Sequence, residues 1–315
     1  MSTFPYEGLK VLDLSRILAG PWIGQTLADM GADVVKIEAP AGDDTRNWGP
    51  PFIERETGKT AAYYFACNRG KRSIVANLKD PSELAKVQEL AAQADVIIQN
   101  YKKGGLDKFA LDYASVAATN PGIVYASITG FGQDGPRASQ PGYDLLIQGM
   151  SGIMDITGPE DREPQKMGVA FADLFTGVYG VIGIQAALKM RAETGRGQEV
   201  DLALFDTLSA VLANQGLNYM VTGKSPKRRG NRHPNLVPYE TYQCSDGHII
   251  IAAGNDRQFG LLCEVLGIPE IATSPAFINN AARVANLEEM ADVLNRATGA
   301  FTRLDLIDQL TARGV

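Results

Sequence analysis

Two short apolar segments, Leu9-Lys10-Val11-Leu12-Asp13-Leu14 and Asp33-Val34-Val35-Lys36-Ile37-Glu38, flank a stretch from Ile17 to Met30 that is closed by Gly31. Read as strand, helix and strand, they form a βαβ unit. The helix carries the chain back so that the second strand runs parallel to the first. The alternation continues downstream. Asp80-Pro81-Ser82-Glu83 offers an N-cap, a proline at the first helical position and a reciprocating acid, followed by Leu84, Val87, Leu90, Ala91 and Ala94 at helical spacing. Asp95-Val96-Ile97-Ile98-Gln99-Asn100 and Ile123-Val124-Tyr125-Ala126-Ser127-Ile128 then read as buried strands. Strands alternating with helices predict an α/β fold built on a Rossmann-like, doubly wound parallel sheet.

Gly177, Gly180 and Gly183 recur every third residue in an apolar segment. This spacing predicts a buried helix over about 176–191 that a neighbouring backbone can approach closely. From Val221 to Arg232 the composition turns to Thr-Gly-Lys-Ser-Pro-Lys-Arg-Arg-Gly-Asn-Arg, a junction between domains. The division predicted is a large catalytic domain over 1–220, with a linker and a smaller α/β domain over 221–315. The smaller one holds strands at Tyr239 to Gln243 and His248 to Ala253, then helices near 258–266, 287–298 and 304–311.

A net charge of −6 argues against non-specific nucleic-acid binding but leaves room for a local basic pocket that takes a phosphorylated ligand. Cys67, Cys244 and Cys263 lie far apart with no CxxC pair. That spacing suits reduced, packed thiols and fits neither a disulfide framework nor a cysteine metal site. Glu7, Lys10, Asp13 and Arg16 interrupt any signal-peptide core, and the apolar run Val178 to Leu188 is too short to span a bilayer. A cytoplasmic protein without a membrane partner is expected.

Only two histidines are present, His233 and His248. A histidine-rich metal site is therefore not expected, and a histidine triad would have to use one of these two. His248, in Asp246-Gly247-His248-Ile249-Ile250, reads as the start of a strand after a turn. The first βαβ unit raises the question of a nicotinamide cofactor, since Glu38 ends the second strand where ribose is often held. The turn between β and α reads Ser15-Arg16-Ile17-Leu18-Ala19-Gly20-Pro21, however, not G-x-G-x-x-G, and no phosphate loop of the G-x-x-x-x-G-K-[ST] kind is present.

Several elements together resemble the class III CoA-transferase family, which includes formyl-CoA transferase, carnitine CoA-transferase and alpha-methylacyl-CoA racemase. They are Gly8 to Asp13, Ala19-Gly20-Pro21, Gly31 to Glu38, Asp43-Asp44-Thr45-Arg46, Asn68 to Ser73, and Ala172-Asp173-Leu174-Phe175-Thr176-Gly177. Thr194 to Gln198 and Gly230 to Pro234 continue the series over nearly the whole chain.

The resemblance implies that Asp173 is the nucleophile. It would attack an acyl-CoA to give a mixed anhydride, and the released CoA thiolate would convert this into an aspartyl-CoA thioester that an acceptor acid then resolves. Taken without the resemblance, an aspartate before Leu174-Phe175-Thr176 is a natural N-cap, and the residues alone favour capping over catalysis. The two roles are compatible if helix-start N–H groups stabilise the carboxylate. For CoA the resemblance carries over Arg16, Leu18 and Ala19 in the first loop, Ala76 to Lys79, then Asn100, Tyr101, Lys102, Lys108 and Tyr143. The family often has arginine where this chain has Ala39, which leaves Arg46, Lys71 and Arg72 as replacements. For oxyanion donors it points to Gly230 to Tyr239.

The implied partners are an acyl-CoA and a free carboxylic acid, with CoA as substrate rather than resident cofactor. The acid expected is a small dicarboxylate such as oxalate or succinate. The resemblance also implies an interlaced homodimer, and relatives continue past Val315 with a segment that returns to the large domain. Two alternatives remain: a racemase of the same family, and a non-catalytic CoA-binding protein. Racemase members carry histidine in a Gly-His-Asp element where this chain has Gly142-Tyr143-Asp144, and tyrosine is a poor base at neutral pH.

Overall fold

Six parallel strands form the central sheet of a computed structural model that describes residues 4–56 and 58–315. Chain order explains their arrangement. β1 (Lys10–Asp13) leads through α1 (Ala19–Asp29) to β2 (Asp33–Glu38), which lies beside β1 in parallel register, Lys10 opposite Asp33. A small antiparallel hairpin, β3 (Phe52–Arg55) and β4 (Gly58–Ala61), and the short α2 (Ala62–Ala66) intervene before β5 (Arg72–Val75) adds outside β2. α3 (Pro81–Gln93) then returns the chain to β6 (Val96–Gln99) on the opposite side of β1. α4 (Tyr113–Thr119) precedes β7 (Val124–Thr129), and α5 (Asp144–Ser151) and α6 (Phe171–Thr194) precede the edge strand β8 (Glu199–Ala203). The spatial order β5-β2-β1-β6-β7-β8 is that of a doubly wound sheet whose direction of growth reverses between β1 and β6. All four residues of β6 are buried, as a strand covered on both faces requires.

The local signals act as predicted at α3. Asp80 accepts N–H bonds from Ser82 and Glu83, and Pro81 occupies the first turn. Glu83, however, reaches back past the cap to the N–H of Asn77, at 2.6 Å. Helix α6 departs further from expectation. It starts at Phe171, five residues before the predicted start, and runs 24 residues to Thr194. Its N-cap is Ala170, so Asp173 lies inside the first turn and does not cap it.

In length and apolar character α6 could cross a membrane, which the shorter apolar run did not suggest. In the fold it is buried only in part, since Val178, Tyr179 and Ile182 are exposed, so the expectation of a buried helix holds for part of its surface alone. A side chain at Gly177 would strike Trp22 and the carbonyl of Ala19, one at Gly180 would strike Ile23, and one at Gly183 would meet Val200 at 2.8 Å. The glycine triplet thus lets α6 lie directly against α1 and β8, and Ala172, Thr176, Val181, Ile184 and Ala187 are buried.

The chain divides into two compact units, the first comprising residues up to Met154 together with Lys166–Leu217 and the second Asp155–Gln165 with Asn218–Val315. The division falls within α8 (Ala213–Thr222), which follows α7 (Leu204–Val211). In the second unit β9 (Tyr239–Cys244) and β10 (Gly247–Ala252) pair as an antiparallel hairpin over α9 (Asp256–Val265), α10 (Asn280–Ala285), α11 (Leu287–Thr298) and α12 (Arg303–Arg313). Its core is apolar around Tyr242, Phe259, Leu262, Met290, Leu294 and Leu306. One cation lies inside that core. Arg283 donates to the carbonyls of Val237 and Phe277 and to Asp256, and its guanidinium lies 4.3 Å from the Phe259 ring centroid. All three cysteines are free and buried.

Candidate active site

Parallel sheets of this order open a crevice beyond the strand C-termini where the order reverses. Here that point lies between the loop after β1 and the loop after β6. The two loops are tied together by Asn100, which accepts from the Arg16 N–H at 3.0 Å and donates to the Arg16 carbonyl at 2.6 Å. Ile17 adopts φ +72°, a costly conformation for a β-branched residue, which persists only where neighbours over-determine it. They do so here. The Ile17 N–H reaches Asp43 at 3.4 Å, its carbonyl accepts from the Cys67 thiol, and Lys36 donates to the preceding Ser15 carbonyl at 2.6 Å.

Beneath this loop lies a buried ionic cluster. Lys71 donates to Asp13 at 2.8 Å, to the Pro21 carbonyl at 2.7 Å and to Asn68 at 2.9 Å, with both charged side chains almost wholly inaccessible. Lys36 pairs with Asp43 at 3.0 Å, equally buried. Burial opposes ionisation of Asp13, but the charges of Lys71 and Lys36 outweigh it and hold the carboxyl below its usual range. Glu38 is likewise buried, yet bonds from Arg46, Ser73 and Tyr64 and from the Asp43 N–H hold it at about 2. Its carboxylate is therefore committed to the protein and does not wait for a ribose.

The three cations suggested as replacements at Ala39 are also occupied. Arg46 forms a two-pronged bond with Glu38, Lys71 is buried on Asp13, and Arg72 pairs with Asp33 at 2.6 Å. Arg46 and Lys71 each answer a buried carboxylate, whereas Arg72 meets Asp33 at the surface.

Most of the other predicted ligand residues converge in the first unit. Arg16, Ala19, Asn100, Tyr101, Lys102 and Tyr143 line one cleft together with Asp144 and Asp173. Ala76, Lys79 and Lys108 line a neighbouring pocket with Ala39, Pro40 and Phe109, and Tyr101 borders both spaces. Leu18 is the exception. It is buried, at 6% exposure, and lines neither space. Gly230 to Tyr239 belongs to the second unit.

Two glycines allow the far wall of the cleft to form. A Cβ on Gly142 would sit 2.5 Å from the Cα of Gly130, and one on Gly130 would sit 2.5 Å from the Cα of Gly142. Only glycine at both positions lets the loop cross the end of β7 at that height, which sets Tyr143 and Asp144 at the mouth of α5.

Asp173 is half-buried in the cleft, and among the described residues no donor reaches its carboxylate oxygens. Burial, then the nearby charge of Asp144, push its carboxyl up to about 7. The expectation that helix-start N–H groups stabilise this carboxylate is overturned. The N–H groups of Ala172 and Asp173 donate instead to Asp144, at 2.8 and 3.4 Å. Sequence reasoning did not single out Asp144, although it adjoins Tyr143 in the Gly142-Tyr143-Asp144 element. A carboxylate that is unpaired and partly dehydrated in a cleft has the chemistry that a nucleophile or a base needs.

Residues 6–315 match the family model described as CoA-transferase family III. The chain is 53% identical to the succinate–glutarate CoA-transferase of Agrobacterium fabrum over 306 residues, 96% of this chain and 76% of the relative. It is 43% identical to the succinyl-CoA:glutarate CoA-transferase of Mus musculus over 292 residues, 92% of this chain and 66% of that one. The chain thus spans just under two thirds of the mouse relative's length. Among solved structures, a CaiB/BaiF family protein from Brucella suis matches with a TM-score of 0.86 and 58% identity, over all of this chain and 83% of that one.

Proposed function

The chain belongs to CoA-transferase family III, and we propose that it moves coenzyme A from an acyl-CoA to a free dicarboxylate through a covalent thioester on Asp173. The observation that carries the mechanism is the Asp173 carboxylate itself, which lines the crevice with no donor on its oxygens and a raised affinity for protons.

Each step asks little of it. A carboxylate oxygen adds to the thioester carbonyl, the C–S bond breaks and CoA leaves as thiolate, giving a mixed anhydride. The thiolate adds to the aspartyl carbonyl, the anhydride C–O bond breaks, and the donor acid departs as a carboxylate. The acceptor acid then runs the same two steps backwards. No proton is transferred in these steps, so none of them needs a histidine.

CoA would lie across the two loops. Its thioester end would sit in the cleft near Asp173, and Tyr101 would mark the passage to the pocket where Lys79 and Lys108 suit phosphate oxygens. A dicarboxylate acceptor is supported by the substrates for which the relatives are named, succinate and glutarate. The cationic side chains of Arg16, Lys102 and Lys103 on the cleft wall suit a second carboxylate.

A screen of succinyl-, glutaryl-, oxalyl- and acetyl-CoA against the corresponding acids, with mass detection of the CoA esters formed, tests the substrate class. Transfer among dicarboxylates is expected, and turnover confined to monocarboxylates would reject the assignment.

We further infer a homodimer. Val178, Tyr179 and Ile182 on α6 and Leu145 and Leu146 on α5 are each exposed by more than 40%, apolar surface that a second copy would cover. Light scattering should give twice the chain mass at micromolar concentration; a stable monomer contradicts this. Three unpaired thiols fit a reducing compartment, and the cytoplasm is the one proposed.

A further inference from the structure

We propose that Asp144 positions and primes the nucleophile: its carboxylate takes the backbone donors at the start of α6, leaves the Asp173 carboxylate unpaired, and sets a negative charge beside it that acylation relieves. The proposal rests on Asp173 being the acyl acceptor.

The geometry is a cap supplied from another helix. Ala170, the N-cap of α6, offers no side-chain acceptor, and Asp144 fills that role through one oxygen, Oδ1, on the N–H groups of Ala172 and Asp173. The other oxygen is fixed by Gln148, one turn along α5, whose amide donates to Oδ2 at 2.7 Å. Gln148 is fully buried and is itself held by the N–H of Met167, at 2.8 Å, in the segment leading into α6. Asp144 therefore has one orientation, and it is set by the same segment that delivers the nucleophile.

Two consequences follow. An aspartate in the first turn of a helix ordinarily gains from the free N–H groups there. Here they are spent on Asp144, and Asp173 receives the field of a second carboxylate instead.

The other ionisable groups around Asp173 do not cancel that field. Tyr63 of α2 faces it as a neutral phenol, pushed up to about 12 by burial and by the Asp173 charge. Tyr143 adjoins Asp144, and Tyr101 lies across the cleft. Arg16 is paired with Asp44, Lys103 donates to the Gln133 carbonyl, and among the described residues neither they nor Lys102 donates to either aspartate.

When the Asp173 oxygen attacks the thioester carbon and the C–S bond breaks, the negative charge leaves position 173 with the CoA thiolate. When the thiolate returns to the aspartyl carbon, the anhydride C–O bond breaks and the charge departs on the donor acid. The loaded enzyme therefore carries one negative charge fewer beside Asp144 than the free enzyme does. The repulsion that raises Asp173 basicity in the resting state is absent from the thioester.

The test is Asp144→Asn, which keeps an oxygen for the α6 donors but removes the charge. In protein labelled with 13C at the aspartate side-chain carboxyl, the Asp173 signal is assigned by its absence in Asp173→Asn and followed with pH. The titration midpoint is expected to fall by about one unit, remaining above the ordinary aspartate value because burial persists. The acid limb of kcat/KM should move by the same amount, with KM for acyl-CoA changed less than about twofold.

Asp144→Ser, a shorter neutral cap, is the second variant should the first not fold. A midpoint unchanged in the folded variant overturns the proposal, as does an acid limb that stays in place. A shifted midpoint in a protein whose wild type transfers CoA to no acid supports the coupling of the two carboxylates and overturns the acyl-acceptor reading instead.

Discussion

Asp173→Asn is expected to lower CoA transfer by about 10³-fold or more while making the protein harder to unfold at alkaline pH. The first effect follows from replacing the carboxylate proposed to bond the acyl group with an amide, a far weaker nucleophile. The second follows from the sign of the ionisation shift. Folding raises the Asp173 carboxyl from its ordinary value near 4 to about 7, so the native state binds this proton more tightly than the unfolded chain does. Holding the charged form in the cleft thus costs stability, increasingly as pH rises from about 4 to 7 and fully above it, up to about 4 kcal/mol for a shift of this size. Asparagine carries no such cost. The variant should melt several degrees above the wild type at pH 8, with the gap closing toward pH 4. Equal melting temperatures at pH 8 would mean that the native carboxylate is not held at a disadvantage, and the account of its reactivity would lose its physical basis.

The second large effect is expected away from the cleft, at Lys71. Its ammonium satisfies Asp13, the Pro21 carbonyl and Asn68 in a region that water does not reach. Lys71→Met preserves most of the volume and removes all three bonds, leaving the Asp13 carboxylate buried with one cationic neighbour fewer. Breaking a buried pair in this way costs roughly 3–5 kcal/mol, and urea denaturation of the variant should show a loss of that order. Because Asp13 also receives the Ser15 N–H at 2.9 Å, the loop that lines the cleft should loosen too, with KM for acyl-CoA rising. Adding Asp13→Asn to Lys71→Met should restore part of the stability, since the orphaned charge is then gone. A loss below about 1 kcal/mol for Lys71→Met alone would show that the cluster is not held as tightly as its geometry implies.

These two sites differ in how far they can be read from the residues. The β1-α1-β2 unit, the capped start of α3 and the buried run of β6 are legible because period, cap and apolar run all lie within a few residues of one another. Asp173 could be picked out by resemblance. Its own neighbourhood suggested a cap, and the helix was expected to start five residues too late. The reason is physical: α6 begins with no capping residue of its own, since the acceptor that satisfies Ala172 comes from Asp144, 28 residues away in sequence. A local reading has no means of seeing a cap supplied across the fold.

The ionic cluster was hidden for a similar reason. Asp13, Lys36 and Glu38 stand in strands where charged residues ordinarily face solvent, and only the crossing of three segments shows that Lys71, Asp43 and Arg46 meet them inside. The same pairing engages Arg46 and Lys71 on buried carboxylates. The cations left to line the two spaces are Arg16, Lys79, Lys102, Lys103 and Lys108.

The most direct measurement is the mass of the peptide bearing Asp173 after the protein is incubated with succinyl-CoA and no acceptor, then quenched and digested in acid. A peptide heavier by one CoA, converted by hydroxylamine to a hydroxamate at Asp173, is the predicted result. A peptide of unmodified mass under conditions where CoA exchange proceeds, or CoA attached to any other side chain, would contradict the mechanism.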